Sequence, residues 1–323
     1  MAGLELQSFS FFAMGTPCAL HLYASSMETA QRAACRAIAE VQRIEARYSR
    51  YRPDSDLAHL NCVANAGGSL TVDDETAGLL NYAFAAYQRS GGLFDVTSGP
   101  LRHAWDFKSG RLPKQETLDQ LLPSIGMDKV RWDAPHLSFS RPGMEIDFGG
   151  IGKEYAADRA AIVCQTAGLA HGLVDLGGDI RVLGPHPDGT PWQIGIRHPR
   201  RPGELLATAS LRQGALATSG NYERCIEIDG RRYGHILSPV TGWPVHGLTS
   251  ISVLADACLL AGTLCTITML KSDEGPAWLR SLRVPHLWMD ERGVCGQSLW
   301  PPSPTAPLGA GAHRHLVTAA DCR

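Results

Sequence analysis

The stretch MEIDFGGIGKEYAADRAAIVCQTAG, residues 144–168, decides how the rest of the chain is read. A short apolar run meets the pair Gly149–Gly150, and the residues beyond it repeat alanine and aliphatic side chains at helical spacing. A strand therefore enters a glycine turn and leaves as a helix. Such a turn exposes backbone N–H groups to an anion, and Lys153 in the first helical turn adds positive charge. On its own the signal is weak, because most glycine turns before helices are structural.

On the N-terminal side, Phe9 to Tyr23 reads as a strand around the turn-prone MGTP, and Ser26 to Tyr48 as an amphipathic helix capped by Ser26. YRPDSDLAHLN (51–61) reads as a loop, with Pro53 and the Asp and Ser residues supplying turn chemistry. A helix is expected from about Asp74 to Arg89, stopping at Gly91 and Gly92, then a polar helical connector over Lys114 to Leu122. Strands are expected near Val130 and from Leu137 to Phe139. On the C-terminal side, HGLVDLGGDIRVLG (171–184), WQIGIRHP (192–199), LLATASL (205–211) and ALATSG (215–220) alternate β-rich runs with glycine turns. Ala257 to Leu270 reads as a buried helix. There is no regular βαβ series, so the expected class is α+β, with mixed, largely antiparallel sheets and packed helices. PPSPTAPLGAGAH, after Trp300, lacks periodicity. It suggests a flexible tail over 300–323 and one domain over 1–299, open to division into two intertwined subdomains.

The 323 residues are 44% hydrophobic and 19% charged, enough apolar content for a sizeable core. The formal net charge is −2 and no Lys/Arg block stands out, which argues against nucleic-acid binding by bulk electrostatics. SFSFFAM near the start is too short for a secretory or membrane segment, so the expected location is the cytoplasm. Nine cysteines without a CxxC pair point to small buried hydrophobes rather than a zinc cluster or disulfide framework.

The glycine turn gains weight from its companions. MGTP (14–17), YSRYRPDSDLAHLN (48–61), GGLFDVTSGPLRHAWDF (91–107) and IDFGGIGKEYAADRA (146–160) come first. VDLGGDIRVLG (174–184), PWQIGI (191–196), ATSGNYER (217–224), DGRRYGHILSPVTGWPV (229–245) and AGTLCT (261–266) follow in order. This series resembles the ApbE family, the FAD:protein FMN transferases, over about residues 10 to 295. The resemblance implies an ApbE-like, T-fold-like architecture and an FAD site. In that site Met14 matches the family's MGT motif, and Tyr51 matches an aromatic position suited to ring stacking. Leu93, Phe94 and Asp95 match a segment that contacts FAD through backbone and carboxylate. Asp147 and Lys153 match polar positions flanking the glycine turn, and His235 and Ile236 match the HI before the PxTG turn. The blander readings are core packing for Phe94 and Ile236, a turn cap for Asp147 and a satisfied surface histidine for His235.

The implied chemistry is attack by a Thr or Ser hydroxyl of an acceptor flavoprotein on the FMN phosphorus of FAD, with AMP leaving. His235 would position or deprotonate that hydroxyl. A magnesium ion would be held in part by the Gly150 carbonyl and by Thr266, the threonine of the family's AD-x-x-x-T helix. The aspartate of that motif is Gly262 here. Ser238 and Val240 replace a usual aspartate and arginine, and Glu154 stands where glycine is common. Two expectations compete. The chain is an FMN transferase, or it binds FAD with little transfer, as a flavin carrier or partner module, because position 262 lacks a carboxylate. An FAD-dependent oxidoreductase has little support, since no strand–GxGxxG–helix unit is followed by a ribose-binding acid. On the first two readings, Gly262→Asp is expected to raise magnesium-dependent transfer.

Overall fold

A computed structural model describes residues 3–222, 225–301 and 314–316. The helices are α1 (Met27–Tyr48), α2 (Asp56–Asn65), α3 (Asp74–Ser90), α4 (Gln115–Leu121), α5 (Gly152–Thr166), α6 (Cys258–Leu270) and α7 (Gly275–Ser281). The first strands are β1 (Glu5–Ala13), β2 (Thr16–Ala24), β3 (Ser69–Thr71), β4 (Val130–Asp133) and β5 (His136–Phe139). Next come β6 (Gly172–Leu176), β7 (Asp179–Gly184), β8 (Trp192–Arg197), β9 (Leu205–Leu211) and β10 (Gly214–Gly220). The last are β11 (Cys225–Ile228), β12 (Arg231–Gly234), β13 (Leu248–Ala255), β14 (His286–Asp290), β15 (Cys295–Ser298) and β16 (Arg314–Leu316).

One sheet organises the molecule, in the order β15-β14-β13-β10-β7-β6-β2-β1-β16. Every pairing in it is antiparallel except β16 beside β1. Helices α1, α5 and α6 cover one face. Under them Phe9, Leu20 and Leu22 are almost wholly buried, each worth about 1.5–3 kcal/mol of apolar burial. The β8–β9 hairpin covers the other face, packing Trp192, Ile194 and Ile196 on Leu173, Ile180 and Val182. Seven of the eight residues of β13 are buried, as expected of a strand covered on both sides. A smaller cluster around Trp105, Leu118 and Ile226 carries the β11–β12 hairpin.

Where caps and periodicity agree, the sequence reading matches the fold. Ser26 accepts the Thr29 N–H at the start of α1, and α3 ends at Gly91 in the left-handed region. Two local readings change. The apolar segment 9–23 is a hairpin rather than one strand, turning at Met14 (φ 54°) and Gly15 (φ 70°). YRPDSDLAHLN is only partly a loop, since Ser55 accepts the Ala58 N–H and opens α2. The expected tail falls mostly outside the described residues, but Arg314–Leu316 lies hydrogen-bonded beside β1, where a free tail was expected.

An ion network joins four of the helices. Arg47 of α1 pairs with Asp56, Asp73 and Glu75, Arg43 pairs with Glu75 at 2.7 Å, and the Tyr155 hydroxyl of α5 donates to Glu75 at 2.8 Å. Among the described residues, no helix is long and apolar enough to cross a membrane. Among the described residues seven cysteines are free, and of these Cys18, Cys164, Cys258 and Cys265 are buried.

Candidate functional site

Three sequence motifs meet at Lys153. The Met14–Gly15 turn is anchored by the Met14 N–H, which donates to Glu45 of α1 at 2.8 Å. Thr16, just after it, packs against Gly177 in the β6–β7 turn so closely that a side chain at 177 would collide with it. Lys153, in the first turn of α5, donates to the Leu176 carbonyl at 3.3 Å and pairs with buried Asp179. The other carboxylate oxygen of Asp179 accepts the Thr218 N–H at 3.3 Å, and the Thr218 and Ser252 hydroxyls lie 2.8 Å apart. The lysine is thus fixed by β6, β7 and β10 together, at a helix start that has no capping side chain.

The loop ahead of α5 is built around Asp147. Its N–H donates to the Val96 carbonyl at 2.7 Å, joining it to the LFDV segment. One carboxylate oxygen accepts the Gly149 N–H at 2.8 Å; the other meets Arg50 at 2.6 Å and Arg102 at 3.5 Å. Arg50 lies 4.9 Å from the centre of the Tyr51 ring and donates to the phenol oxygen at 3.0 Å, which holds that phenol below its usual pKa. The ring itself is 81% exposed, a flat apolar surface offered to solvent. Sequence reading singled out Tyr51 and Asp147 but not Arg50 and Arg102, whose contacts join segments far apart along the chain.

Phe94 is buried against the turn, and a Cβ added at Gly150 would sit 3.3 Å from its ring. Leu93 beside it is half-buried. Asp95 points inward, accepting the Thr97 N–H and hydroxyl at 2.8 and 2.6 Å and the Met127 N–H at 3.1 Å. Burial pushes its carboxyl pKa up. In this structure the Asp95 carboxylate braces the segment through these bonds.

His235 and Ile236 follow β12. Gly234 sits against Asn221, next to the end of β10, where a Cβ would come within 2.5 Å of the amide oxygen. Asn221 also spans to the Val245 and Leu248 carbonyls at 3.3 and 3.2 Å, so His235 arrives near the strand that carries Thr218. Ile236 is half-buried against the core around Val245 and Leu248. Ser238 replaces the usual aspartate yet still organises the turn, its hydroxyl accepting the Val240 and Thr241 N–H groups at 3.3 Å. Val240, 67% exposed, brings no charge.

The last part of the site is where α5 crosses α6. Asp158 of α5 caps α6, its two oxygens accepting the Cys258 and Leu259 N–H groups at 2.9 Å each. One turn away along each helix, running in opposite directions, Glu154 faces Gly262. A Cβ at 262 would lie 2.5 Å from the Glu154 Cγ and 2.9 Å from its Cδ and Oε1. Glu154 is 8% exposed, its Oε2 has no hydrogen-bond partner, and burial raises its pKa. Position 262 lacks a carboxylate, as the sequence reads, but one arrives beside it from the opposite helix. One further turn along α6 comes half-buried Thr266, and Gly150 lies in the turn that precedes α5, two residues before its start. Among the described residues, no three His, Cys, Asp or Glu side chains cluster as a metal site. A cleft of about 240 Å³, lined by Tyr48, Ser55, Thr71, Asp73 and Phe148 among others, includes none of the expected site residues.

Comparison with known proteins agrees with this arrangement. A family model described as the ApbE family matches residues 14–288. The chain is 32% identical over 234 residues to the FAD:protein FMN transferase of Haemophilus influenzae, covering 69% of this chain and 68% of that one. It is 30% identical to the Vibrio cholerae enzyme of the same name over 257 residues, 76% of each. Among solved structures, an ApbE protein from Thermotoga maritima superposes with a TM-score of 0.84 at 29% identity, over 91% of this chain and 97% of that one. The flavin transferase ApbE from Vibrio cholerae superposes with a TM-score of 0.81 at 26% identity, over 92% and 98%.

Proposed function

The chain belongs to the ApbE family, and on that premise we propose that it is a FAD:protein FMN transferase. It would move the FMN part of FAD onto a Thr or Ser hydroxyl of an acceptor flavoprotein and release AMP. The observation that carries this reading is the meeting of the MGT, LGGD and ATSG motifs at Lys153, beside the uncapped start of α5. A helix N-terminus with a fixed lysine suits a pyrophosphate, and Tyr51 offers the flat ring for stacking. Met14, Leu93, Phe94 and Ile236 shape the site's apolar boundary, and Asp95 supports it from behind. Asp147 holds Arg50 and Arg102 in place. His235 is assigned to positioning the acceptor hydroxyl or taking its proton, in line with the leaving group.

A bound magnesium ion would neutralise charge on the phosphates. Oxygen donors suit it, and the Gly150 carbonyl and the Thr266 hydroxyl are the groups that would hold it, with water completing the shell. The rival reading, FAD binding without transfer, drew on the missing carboxylate at 262. The Glu154 carboxylate lying beside that position weighs against it. The test is direct: purified protein is incubated with FAD, magnesium and a flavinylation-competent acceptor. Covalent flavin on the acceptor and matching AMP are expected; FAD binding with neither product would reject transferase activity.

A further inference from the structure

We propose that Glu154 replaces, from α5, the metal-binding carboxylate that α6 lacks at Gly262, and so completes a divalent-cation site with Gly150 and Thr266. The proposal rests on the transferase reading for its setting, but its evidence lies in the helix crossing. The side chain reaches the space beside the α-carbon of Gly262, and only a residue without a Cβ admits it there. Glycine at 262 and glutamate at 154 are thus two halves of one arrangement.

The carboxylate is also unclaimed. Its Oε2 is buried without a hydrogen-bond partner, an arrangement that is costly in a protein interior and rare unless an unseen ligand satisfies it. The nearest charged groups on its own helix are engaged elsewhere. Lys153 pairs with Asp179, while Asp158 caps α6 and meets Arg181 at 3.3 Å. A magnesium or manganese ion fits the donors, which are one carboxylate, one hydroxyl and one backbone carbonyl, all hard oxygens. Glutamate is one methylene longer than aspartate, which suits a reach from the neighbouring helix.

The experiment measures Mn²⁺ binding by electron paramagnetic resonance, with and without FAD, alongside FAD affinity and melting temperature. Four proteins are compared: the native chain, Glu154→Gln, Gly262→Asp and the reciprocal double variant Glu154→Gly/Gly262→Asp. Glu154→Gln keeps the shape of the side chain and should weaken Mn²⁺ binding by more than about tenfold, since even outer-shell losses cost that much, while FAD still binds. Gly262→Asp alone should melt lower and gain no metal affinity, contrary to the expectation from sequence, because the new side chain meets Glu154. The double variant should recover Mn²⁺ binding. Native-like Mn²⁺ affinity in Glu154→Gln, or no Mn²⁺ binding by the native chain in either condition, overturns the proposal. Failure of the double variant to recover binding does so as well. Glu154-dependent Mn²⁺ binding without any FAD binding would uphold the site and reject the transferase reading instead.

Discussion

Asp147 shows how a single carboxylate can matter to a ligand that it need not touch. It holds Arg50, and Arg50 holds Tyr51, so the ring's position depends on a residue far along the chain. Asp147→Ala should therefore raise the FAD Kd by about tenfold, or about 1.4 kcal/mol, as titration calorimetry would measure. Unchanged affinity would show that Tyr51 needs no such support. Asp179 differs in kind, being almost wholly buried and paired with Lys153. Asp179→Ala leaves that lysine without its counter-charge, and losing one partner of a buried pair costs about 3–5 kcal/mol. Thermal or denaturant unfolding of the variant should show a loss of that order; a change below about 1 kcal/mol would mean that water already screens the pair. Sequence alone revealed the motif residues because turns and glycines leave local signatures. It did not reveal Arg50, Arg102 or Asp179 as partners, because their contacts join segments that only folding brings together.

Between elements, the α5–α6 crossing reverses an ordinary rule of helix stability. Glycine in a helix interior is worse than alanine by about 0.8–1.0 kcal/mol, so Gly262→Ala would stabilise an open helix. Here the added methyl meets Glu154, and overpacking typically costs about 1–3 kcal/mol. Gly262→Ala should lower the melting temperature of the native chain yet raise it in a Glu154→Gly background. The same sign in both backgrounds would mean that the two positions do not interact. Both residues stood out in the sequence, but as separate departures, since nothing in a linear reading says that they touch. The helices α1, α3 and α6 were legible from periodicity and caps. The α2 helix was not, because the Ser55 cap has the same composition as a turn. The β1–β2 hairpin was hidden as well, its two-residue loop carrying Met14 in place of the asparagine or aspartate that marks such turns.

Across the whole molecule, the ion network around Glu75 ties α3 to α1 and α5. Hydrogen bonding from Arg43 is the main cause that holds the Glu75 carboxyl at about 2, with Tyr155 and Arg47 adding to it, against about 4.3 in an unfolded chain. Below about pH 4.3 the unfolded state takes up a proton that the folded state refuses. The network's contribution is therefore complete above that pH and is lost as pH falls toward 2. Melting curves should show this loss in the native chain and a shallower one in Glu75→Gln, which should also melt lower at neutral pH. Equal acid slopes in the two proteins would show that Glu75 is screened by solvent. The nine-stranded sheet beneath is less sensitive to acid, being held by backbone pairing and apolar burial.

The close fit of Glu154 to Gly262 also has a historical side. If an ancestor carried the family's usual glycine and aspartate at these two positions, neither order of the two substitutions leads to the present pair without passing an awkward intermediate. Changing position 262 first removes the carboxylate from that face of α6, and changing position 154 first crowds two acidic side chains into room for one. The pair should therefore be inherited as a unit, with glutamate at one position accompanying glycine at the other across descendants. A survey that scores position 262 alone would set this branch aside as degenerate, when its acidic group has only moved to the neighbouring helix.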